Sequence, residues 1–324
     1  MPHANNSHFR CQGSSRSHRS NFERDVRLAT PGAFNGGIFL VHDRRHPSHV
    51  FIEKRISGRE LRDGHAEREV DSLRHCDHPN ITEFIHYEIQ TYVGYRSSVG
   101  RLIIQYCELG DLETMIQNCR RRDYRLPEGF LWSIFWDMSR ALCHLRTGRD
   151  ATLDAASGHS ITEIQGWSVI FHRDFKPQNV LLTSRGRGRW PRAVLADFGC
   201  SVTQDQVRRG QGSLIASRFT GFFAPPEAPY WGLRSDVYGL GLTMHCLGRC
   251  IATPHRGPGR GDPTGQRYSS SLSRSVDECL VRDPADRVSA KNLPATIYRR
   301  WTRFENEHPG HTQLPPELFG RRRR

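Results

Sequence analysis

The sequence predicts an α+β protein in which a small β-rich half precedes a larger, mainly helical half. Residues 37–41 and 49–54 are rich in β-branched and aromatic side chains and are separated by a turn-forming DRRHPS, which predicts two adjacent strands. Apolar residues recur at helical spacing over 59–76, which predicts one helix. Two more strands are predicted near 81–90 and 101–107. Beyond them, a long apolar face predicts a helical lobe.

Composition and charge narrow the classes of protein to consider. The chain has 324 residues, 36% of them hydrophobic, and no stretch is apolar enough to span a membrane. The net charge is +13, but the basic clusters lack interleaved aromatic residues, so we do not expect nucleic acid as a partner. Nine cysteines without a Cys-x-x-Cys pair predict neither a disulfide framework nor a zinc site.

We therefore expect an intracellular protein, cytoplasmic, nuclear or both. The N-terminus has no apolar segment of the kind found in signal peptides. The sequence RRRR at 321–324 is compatible with a nuclear-import signal and equally with a solvated tail.

One short segment, FHRDFKPQNVLL at 171–182, concentrates polar residues directly before an apolar run. It places Asp174, Lys176 and Asn179 within six positions, and Asp197 follows in the sequence LADFG. A carboxylate can accept a hydroxyl proton, and carboxylate and amide oxygens suit magnesium. Each pattern alone is common in turns and on surfaces, so the interpretation depends on their order along the chain.

In order and spacing these motifs resemble those of the eukaryotic protein kinase family, over roughly residues 28–303. The resemblance implies a bilobal kinase fold and transfer of the γ-phosphoryl group of ATP, with Mg²⁺, to a hydroxyl. It implies that Lys54 contacts the α- and β-phosphates and that Glu69 pairs with it. It assigns Asp174 as the catalytic base and Lys176 to the γ-phosphate. The implied magnesium ligands are Asn179 and Asp197.

The same resemblance assigns a set of positions to the nucleotide: Gly32, Gly37, Ile52, Lys54, Ile104, Gln105, Cys107 and Asp111. Two departures from the family pattern concern this set. Phe34 replaces the middle glycine of the glycine-rich loop, and Ile52 replaces a small alanine against the adenine. Neither removes a charge or a metal ligand, so we expect catalysis. The alternative is a pseudokinase-like scaffold or binding module.

A serine/threonine kinase is expected rather than a tyrosine kinase. Lys176, two residues after Asp174, is typical of the serine/threonine version, and Thr220 is expected to contact both. The segment YCELGDL at 106–112 is most similar to the NIMA-related group. The expected partner is a protein substrate with a serine or threonine acceptor.

The resemblance also implies a supporting frame and a site of regulation. Glu227 is expected to pair with Arg287, and Asp236 to cap the catalytic-loop backbone. Arg173 could receive a phosphorylated activation segment, with an upstream kinase acting on a hydroxyl. The candidate acceptors, which are equally ordinary loop hydroxyls, are Thr203, Ser213 and Ser217.

The chain is predicted to divide into four segments. Residues 1–25 are expected to be a basic, disordered tail, and residues 26–107 to be the N-lobe. Residues 108–304 are expected to be the C-lobe, and residues 305–324 a basic tail. Within the C-lobe, residues 248–275 are predicted to be a loop where the family places a docking helix.

Overall fold

An antiparallel sheet of five strands, in the order β1-β2-β3-β5-β4, forms the small lobe. The computed structural model describes residues 21–29, 36–92, 97–158, 161–255, 262–310 and 313–320. The strands are β1 (Phe22–Ala29), β2 (Ile38–Asp43), β3 (Val50–Ile56), β4 (Phe84–Tyr92) and β5 (Ser97–Gln105). Two helices, α1 (Gly58–Arg62) and α2 (His65–Arg74), lie between β3 and β4.

The large lobe is mainly helical. Its helices and strands in chain order are α3 (Leu112–Arg121), α4 (Glu128–Thr147), α5 (Thr152–Ser157), β6 (Ile170–Phe171), β7 (Val180–Thr183), β8 (Arg192–Leu195), β9 (Val202–Thr203), α6 (Gln204–Arg208), α7 (Ser235–Arg249), α8 (Ser270–Cys279) and α9 (Leu293–Glu307). The α+β, bilobal fold class predicted from the sequence is confirmed. No helix in the described residues has the length and apolar character needed to cross a membrane.

The centre of the large lobe is α4, which is buried on nearly all sides. Trp132, Phe135 and Met138 have no exposed surface. A helix that is apolar all round belongs inside a core, and α4 packs against α7, α9 and β8. This core supports the loops that carry the polar motifs.

The predicted helix over 59–76 is two helices in the structure. Ser57 starts α1 with a capping box, in which its side chain accepts the Glu60 N–H and the Glu60 side chain accepts the Ser57 N–H. Gly64 then adopts a left-handed φ of +68°, which ends the first helix and starts α2. The apolar residues at helical spacing, Ala66, Val70 and Leu73, all lie in α2, so their periodicity did not show where that helix begins.

Two segments assigned to tails are ordered. β1 begins at Phe22, inside the predicted tail 1–25, and the Phe22 ring packs edge to face against Phe51 at 5.7 Å. At the other end, within the predicted tail 305–324, Leu314 is 9% exposed and Leu318 is fully buried. Both segments are short and rich in charge or proline, so their few apolar residues gave no periodic signal.

Candidate active site

Three charged side chains from different elements meet between the lobes. Lys54 on β3 donates from Nζ to Oε1 and Oε2 of Glu69 on α2, at 2.7 and 3.0 Å. It also donates to Oδ1 of Asp197 at 2.7 Å. We call these three residues the cleft cluster. Its members lie up to 143 positions apart in sequence, so only folding brings them together.

The charges in the cleft cluster support each other. Burial by itself would lower the pKa of Lys54, but the carboxylates of Asp197 and Glu69 outweigh it and raise this pKa above its usual range. The Lys54 ammonium in turn lowers the pKa of Asp197 to about 2. Burial raises the pKa of Glu69, although Lys54 opposes the shift. Lys54 and Asp197 therefore both carry full charges at neutral pH.

The backbone after β8 turns sharply to present Asp197 to the cleft. Asp197 has a left-handed φ of +60°, which is uncommon for a residue other than glycine. A Cβ at Gly199 would lie 3.2 Å from Asp197 Oδ1 and 3.4 Å from Lys54 Nζ, so a side chain there would press on the cluster. Phe198 is fully buried, and its ring packs edge to face on His172 at 4.9 Å. This anchor determines where the Asp197 carboxylate lies.

Asp174 is the centre of a second polar group, in the loop between β6 and β7. Its Oδ1 accepts the Thr220 N–H at 3.0 Å, and its Oδ2 accepts from Lys176 Nζ at 2.6 Å and from Asn179 Nδ2 at 3.1 Å. Lys176 also donates to Thr220 Oγ1 at 2.7 Å. The contact of Thr220 with both residues, expected from the sequence, is present.

The loop that carries Asp174 is held in place by the first turn of α7. Asp236, in the first turn of α7, accepts the backbone N–H groups of His172 and Arg173 at 2.8 and 2.9 Å. It also accepts the Trp231 Nε1–H at 2.9 Å. This is the backbone cap expected from the sequence, and it immobilises the loop two residues before Asp174.

A buried ion pair ties the activation segment to the large lobe, as expected. Arg287 donates two hydrogen bonds to the Glu227 carboxylate, at 2.7 and 2.9 Å, and its side chain has no exposed surface. The guanidinium also lies over the ring of Tyr238, 4.9 Å from its centroid. The pair is architectural, since both partners are occupied by each other.

The sequence reasoning missed two contacts that hold the site together. His172 is fully buried and donates from Nε2 to the Ala196 carbonyl at 3.0 Å, which links the Asp174 loop to the segment of Asp197. Ser201 donates to Ser72 Oγ on α2 at 2.8 Å. The position of His172, two residues before Asp174, was a signal in the sequence that could have identified it. Two serines 129 positions apart form no pattern in a sequence.

The glycine-rich loop lies mostly outside the described residues. Gly32 and Phe34 both fall there, so their expected roles stay predictions. Gly37 is described, and its carbonyl accepts the Arg55 N–H at 3.0 Å, just before β2 begins.

The expected adenine side of the site is described. Ile52 on β3 and Ile104 on β5 are directly paired across the sheet, and both side chains are half-buried. Gln105 ends β5, and Cys107 follows with only 6% of its surface exposed. Side chains directly opposite on neighbouring strands are in contact range, so Ile52 and Ile104 together form one apolar surface.

Asp111, expected at the ribose, caps α3. Its Oδ1 accepts the Thr114 N–H at 2.8 Å, and its Oδ2 accepts from Thr114 Oγ1 at 3.0 Å. A ribose contact would therefore share oxygens that already hold the helix start.

The ligands available for a divalent cation are side-chain oxygens that these hydrogen-bond networks do not use. Asn179 donates from Nδ2 to the Asp174 carbonyl and carboxylate, so Oδ1 remains as an acceptor. Asp197 uses Oδ1 for Lys54, and its side chain is 50% exposed. Neither Asn179 Oδ1 nor Asp197 Oδ2 accepts a hydrogen bond from a described residue. One amide and one carboxylate oxygen fit a hard cation that keeps ligands from phosphates and water.

Comparison with known proteins agrees with this geometry. The family model of the protein kinase domain matches residues 35–298. The chain is 27% identical over 303 residues to the G2-specific protein kinase nimA of Emericella nidulans, covering 85% of this chain and 41% of that protein. It is 29% identical over 266 residues to the G2-specific protein kinase nim-1 of Neurospora crassa, covering 74% and 29%.

A third relative is the serine/threonine-protein kinase Nek5 of Mus musculus, 26% identical over 287 residues, covering 83% of this chain and 39% of that protein. The chain thus spans less than half the length of each of these curated relatives. The predicted similarity to NIMA-related kinases is confirmed. The chain belongs to the protein kinase family.

Proposed function

We propose that the protein is an ATP-dependent serine/threonine protein kinase. One observation carries the proposal. Lys54 contacts both Glu69 and Asp197, at 2.7 Å to each. These two contacts form the cleft cluster in the same structure in which the Asp174 loop is held by its hydrogen bonds. A chain in which these groups could not meet would keep only the shape of a kinase.

Each residue has a role in the transfer of the γ-phosphoryl group. Lys54, oriented by Glu69, presents its ammonium to phosphate oxygens. Asp174 accepts the proton of the serine or threonine hydroxyl as that oxygen bonds to the γ-phosphorus and ADP departs with the electrons of the broken bond. Lys176 neutralises charge on the transferred group, and its hydrogen bond to Asp174 holds the base in place.

Mg²⁺ is the proposed metal, because carboxylate and amide oxygens are its usual protein ligands. Asn179 and Asp197 would hold it through the two oxygens that the networks leave over. When bound, it supplies positive charge that offsets the charge of the phosphates. Lys54 keeps Asp197 ionised and therefore ready to act as a ligand.

The choice of serine or threonine as acceptor rests on Lys176 and Thr220. Their 2.7 Å hydrogen bond joins the loop of Asp174 to the end of the activation segment. The names of the relatives, serine/threonine-protein kinase among them, support the same choice.

An upstream kinase would act on the activation segment. Thr203 is 3% exposed and caps α6, so its hydroxyl is inaccessible. Ser213 and Ser217 are exposed. Arg173 donates to the Ser213 carbonyl at 2.8 Å, so a phosphate on this stretch would lie near a cation. We place the protein inside the cell, where the eight described cysteines, all unpaired and six of them buried, stay reduced.

The test is the variant Asp174→Asn in a turnover assay with Mg²⁺ and ATP on a generic basic protein. An amide cannot accept the hydroxyl proton, so we expect kcat to fall by about 10²–10⁴-fold. The ATP-binding groups are untouched, so a Mg²⁺-ATP-dependent thermal shift should remain.

The matched control is Asp286→Asn, which makes the same chemical change at an exposed site of the large lobe. It should leave kcat unchanged. Equal turnover in wild type and Asp174→Asn contradicts the assignment of the base. If wild type shows neither turnover nor a thermal shift with Mg²⁺-ATP, the scaffold alternative is favoured.

A further inference from the structure

A large groove lies on the side of the large lobe, outside the cleft. Its volume is about 1260 Å³, and its walls are α3, the loop 184–191 between β7 and β8, and the C-terminal segment 313–320. None of the residues of the cleft cluster or of the Asp174 group lines it. It exceeds the roughly 300–1,000 Å³ usual for small-molecule sites, so a length of polypeptide would fit.

The lining of this groove is strongly basic, and we call it the basic groove. Its arginines are Arg121, Arg122, Arg185, Arg187 and Arg189. Among the described residues that line it, Glu317 is the one acidic residue. Arg185 pairs with the fully buried Asp137 and so belongs to the core. The other four arginines are exposed, and in the described residues none of them has an ion-pair partner.

The walls of the basic groove are held in place by defined contacts. Leu318, within the C-terminal segment, is fully buried, and its carbonyl accepts from Asn118 Nδ2 on α3 at 3.2 Å. Gly320 donates its N–H to the Leu109 carbonyl at 3.1 Å. These contacts join the C-terminal segment to α3 and to Leu109, so the groove is a defined part of the fold, with arginines contributed by α3 and by the loop 184–191.

The chemistry of the walls selects the occupant. Residues 1–20 and 321–324 contain no Asp or Glu, so these two segments do not complement the arginines. Single-stranded nucleic acid binds by stacking its bases on exposed aromatic rings, and the two aromatic residues of the lining are Trp190, 7% exposed, and Phe319, half-buried. An acidic polypeptide supplies carboxylates to the exposed arginines.

We propose that the basic groove docks an acidic segment of the protein substrate, at a distance from the residue that is phosphorylated. This deepens the proposed kinase function and rests on it. α3 runs from its cap Asp111, the residue expected at the ribose, to Arg121 in the groove, a rise of about 15 Å. Near its start, Glu113 accepts from Gln178, the neighbour of Asn179, at 2.5 Å. An acidic residue that pairs with Arg121 would thus bind about 15 Å along α3 from Asp111.

Such docking acts on substrate capture and leaves the chemical step alone. The arginines are exposed, so each ion pair with the segment is weak and screened by salt. The docked segment makes the same contacts before and during phosphoryl transfer. It should therefore lower KM without changing kcat.

The experiment compares two serine peptides that differ only in a run of glutamates joined by a flexible linker. In the groove variant, Arg121, Arg122, Arg187 and Arg189 are all changed to Gln. Arg185 is kept, because its loss would leave Asp137 buried and unpaired. The control variant makes the same charge change at Arg44, Arg45, Arg59 and Arg62, which are exposed on the small lobe.

In the groove variant we expect KM for the glutamate-bearing peptide to be about five- to tenfold higher at low salt. The value of kcat, and KM for the plain peptide, should not change. The control variant should behave as wild type. An unchanged KM in the groove variant, or an equal rise in the control, overturns the proposal.

Binding is measured separately, by fluorescence anisotropy of the labelled glutamate peptide on the inactive Asp174→Asn background. Loss of binding on adding the groove changes supports docking even if turnover is absent, so failure of the kinase proposal and failure of docking are distinguishable. Binding that survives those changes overturns docking. A single-stranded oligonucleotide that binds the groove more tightly than the peptide overturns the assignment to protein.

Discussion

Glu53 and Lys54 are neighbours in sequence, and each is the centre of an ion cluster on its own face of the same sheet. Glu53 has no exposed side-chain surface. Its Oε1 accepts from Arg24 at 3.1 Å and Arg55 at 3.2 Å, and its Oε2 accepts from Arg101 at 2.5 Å. We call Glu53, Arg24, Arg55 and Arg101 the outer cluster; both Glu53 oxygens are used within it, so we expect its role to be structural.

The cleft cluster is unsaturated by comparison. Lys54 donates its hydrogen bonds to Glu69 and Asp197, but the Asp197 side chain is 50% exposed and one of its oxygens remains available as a ligand. Both clusters join carboxylates to cations at hydrogen-bond distance, although the cation is a lysine in one and three arginines in the other. The difference between the clusters lies in the unused ligand atoms, and it is on these atoms, rather than on charge alone, that the proposed role of the cleft cluster rests.

The largest expected effect comes from removing the cation of the cleft cluster. Lys54→Met takes away the group proposed to contact the phosphates, so we expect kcat/KM to fall by about 10²–10³-fold. Steady-state kinetics with Mg²⁺ and ATP measure this. Arg55→Met, one position along on the outer face, is the matched control and should retain turnover. Turnover of wild-type size in Lys54→Met would remove the functional distinction between the clusters.

The outer cluster should respond in stability instead. Glu53→Gln leaves the buried Arg101 guanidinium without its main partner, and breaking a buried pair costs about 3–5 kcal/mol in the free energy of unfolding. Urea unfolding measures the loss. At a temperature well below the unfolding midpoint, kcat should stay near that of wild type. A large fall in kcat of the folded variant would count against a purely structural role.

Acid should remove the contribution of the outer cluster to the free energy of unfolding. Burial by itself would raise the pKa of Glu53, but Arg101, with Arg24 and Arg55, outweighs it, so the pKa lies below its usual value of 4.5. The stabilisation is then fully present above pH 4.5 and is lost as pH falls through the folded pKa. The difference in unfolding free energy between wild type and Glu53→Gln should be constant from pH 8 down to about 4.5 and shrink below. A difference that grows in acid contradicts this sign.

The smallest effect is expected at the rim of the outer cluster. Arg24 is 39% exposed and contributes one of the pairs to Glu53. Arg24→Ala should lower the free energy of unfolding by only about 0.2–1 kcal/mol, because solvent screens such a pair. Arg101→Ala, at a side chain 4% exposed, is the comparison. If the two variants lose equal stability, burial is not what separates the members of this cluster.

The part of the site that could be predicted from the sequence is the part encoded in short motifs. The spacing around Asp174 and the LADFG segment identified residues that the structure does bring together. The strand alternation placed Lys54 on one face, but nothing in the pattern showed that Glu53 would be fully buried among arginines. The start of β1 at Phe22 and the packing of Leu318 were missed because a few apolar residues without period carry no signal.

The sequence by itself determined which chemical groups are available, in what order, and on which kind of element each one lies. Only the tertiary structure decided which carboxylate oxygens are saturated and which stay available, because hydrogen bonds between Lys54 and Asp197 cross 143 positions. It also decided that arginines from α3 and from the loop 184–191 line one groove. Charge acts over a few ångströms in space, and distance in space is set by packing.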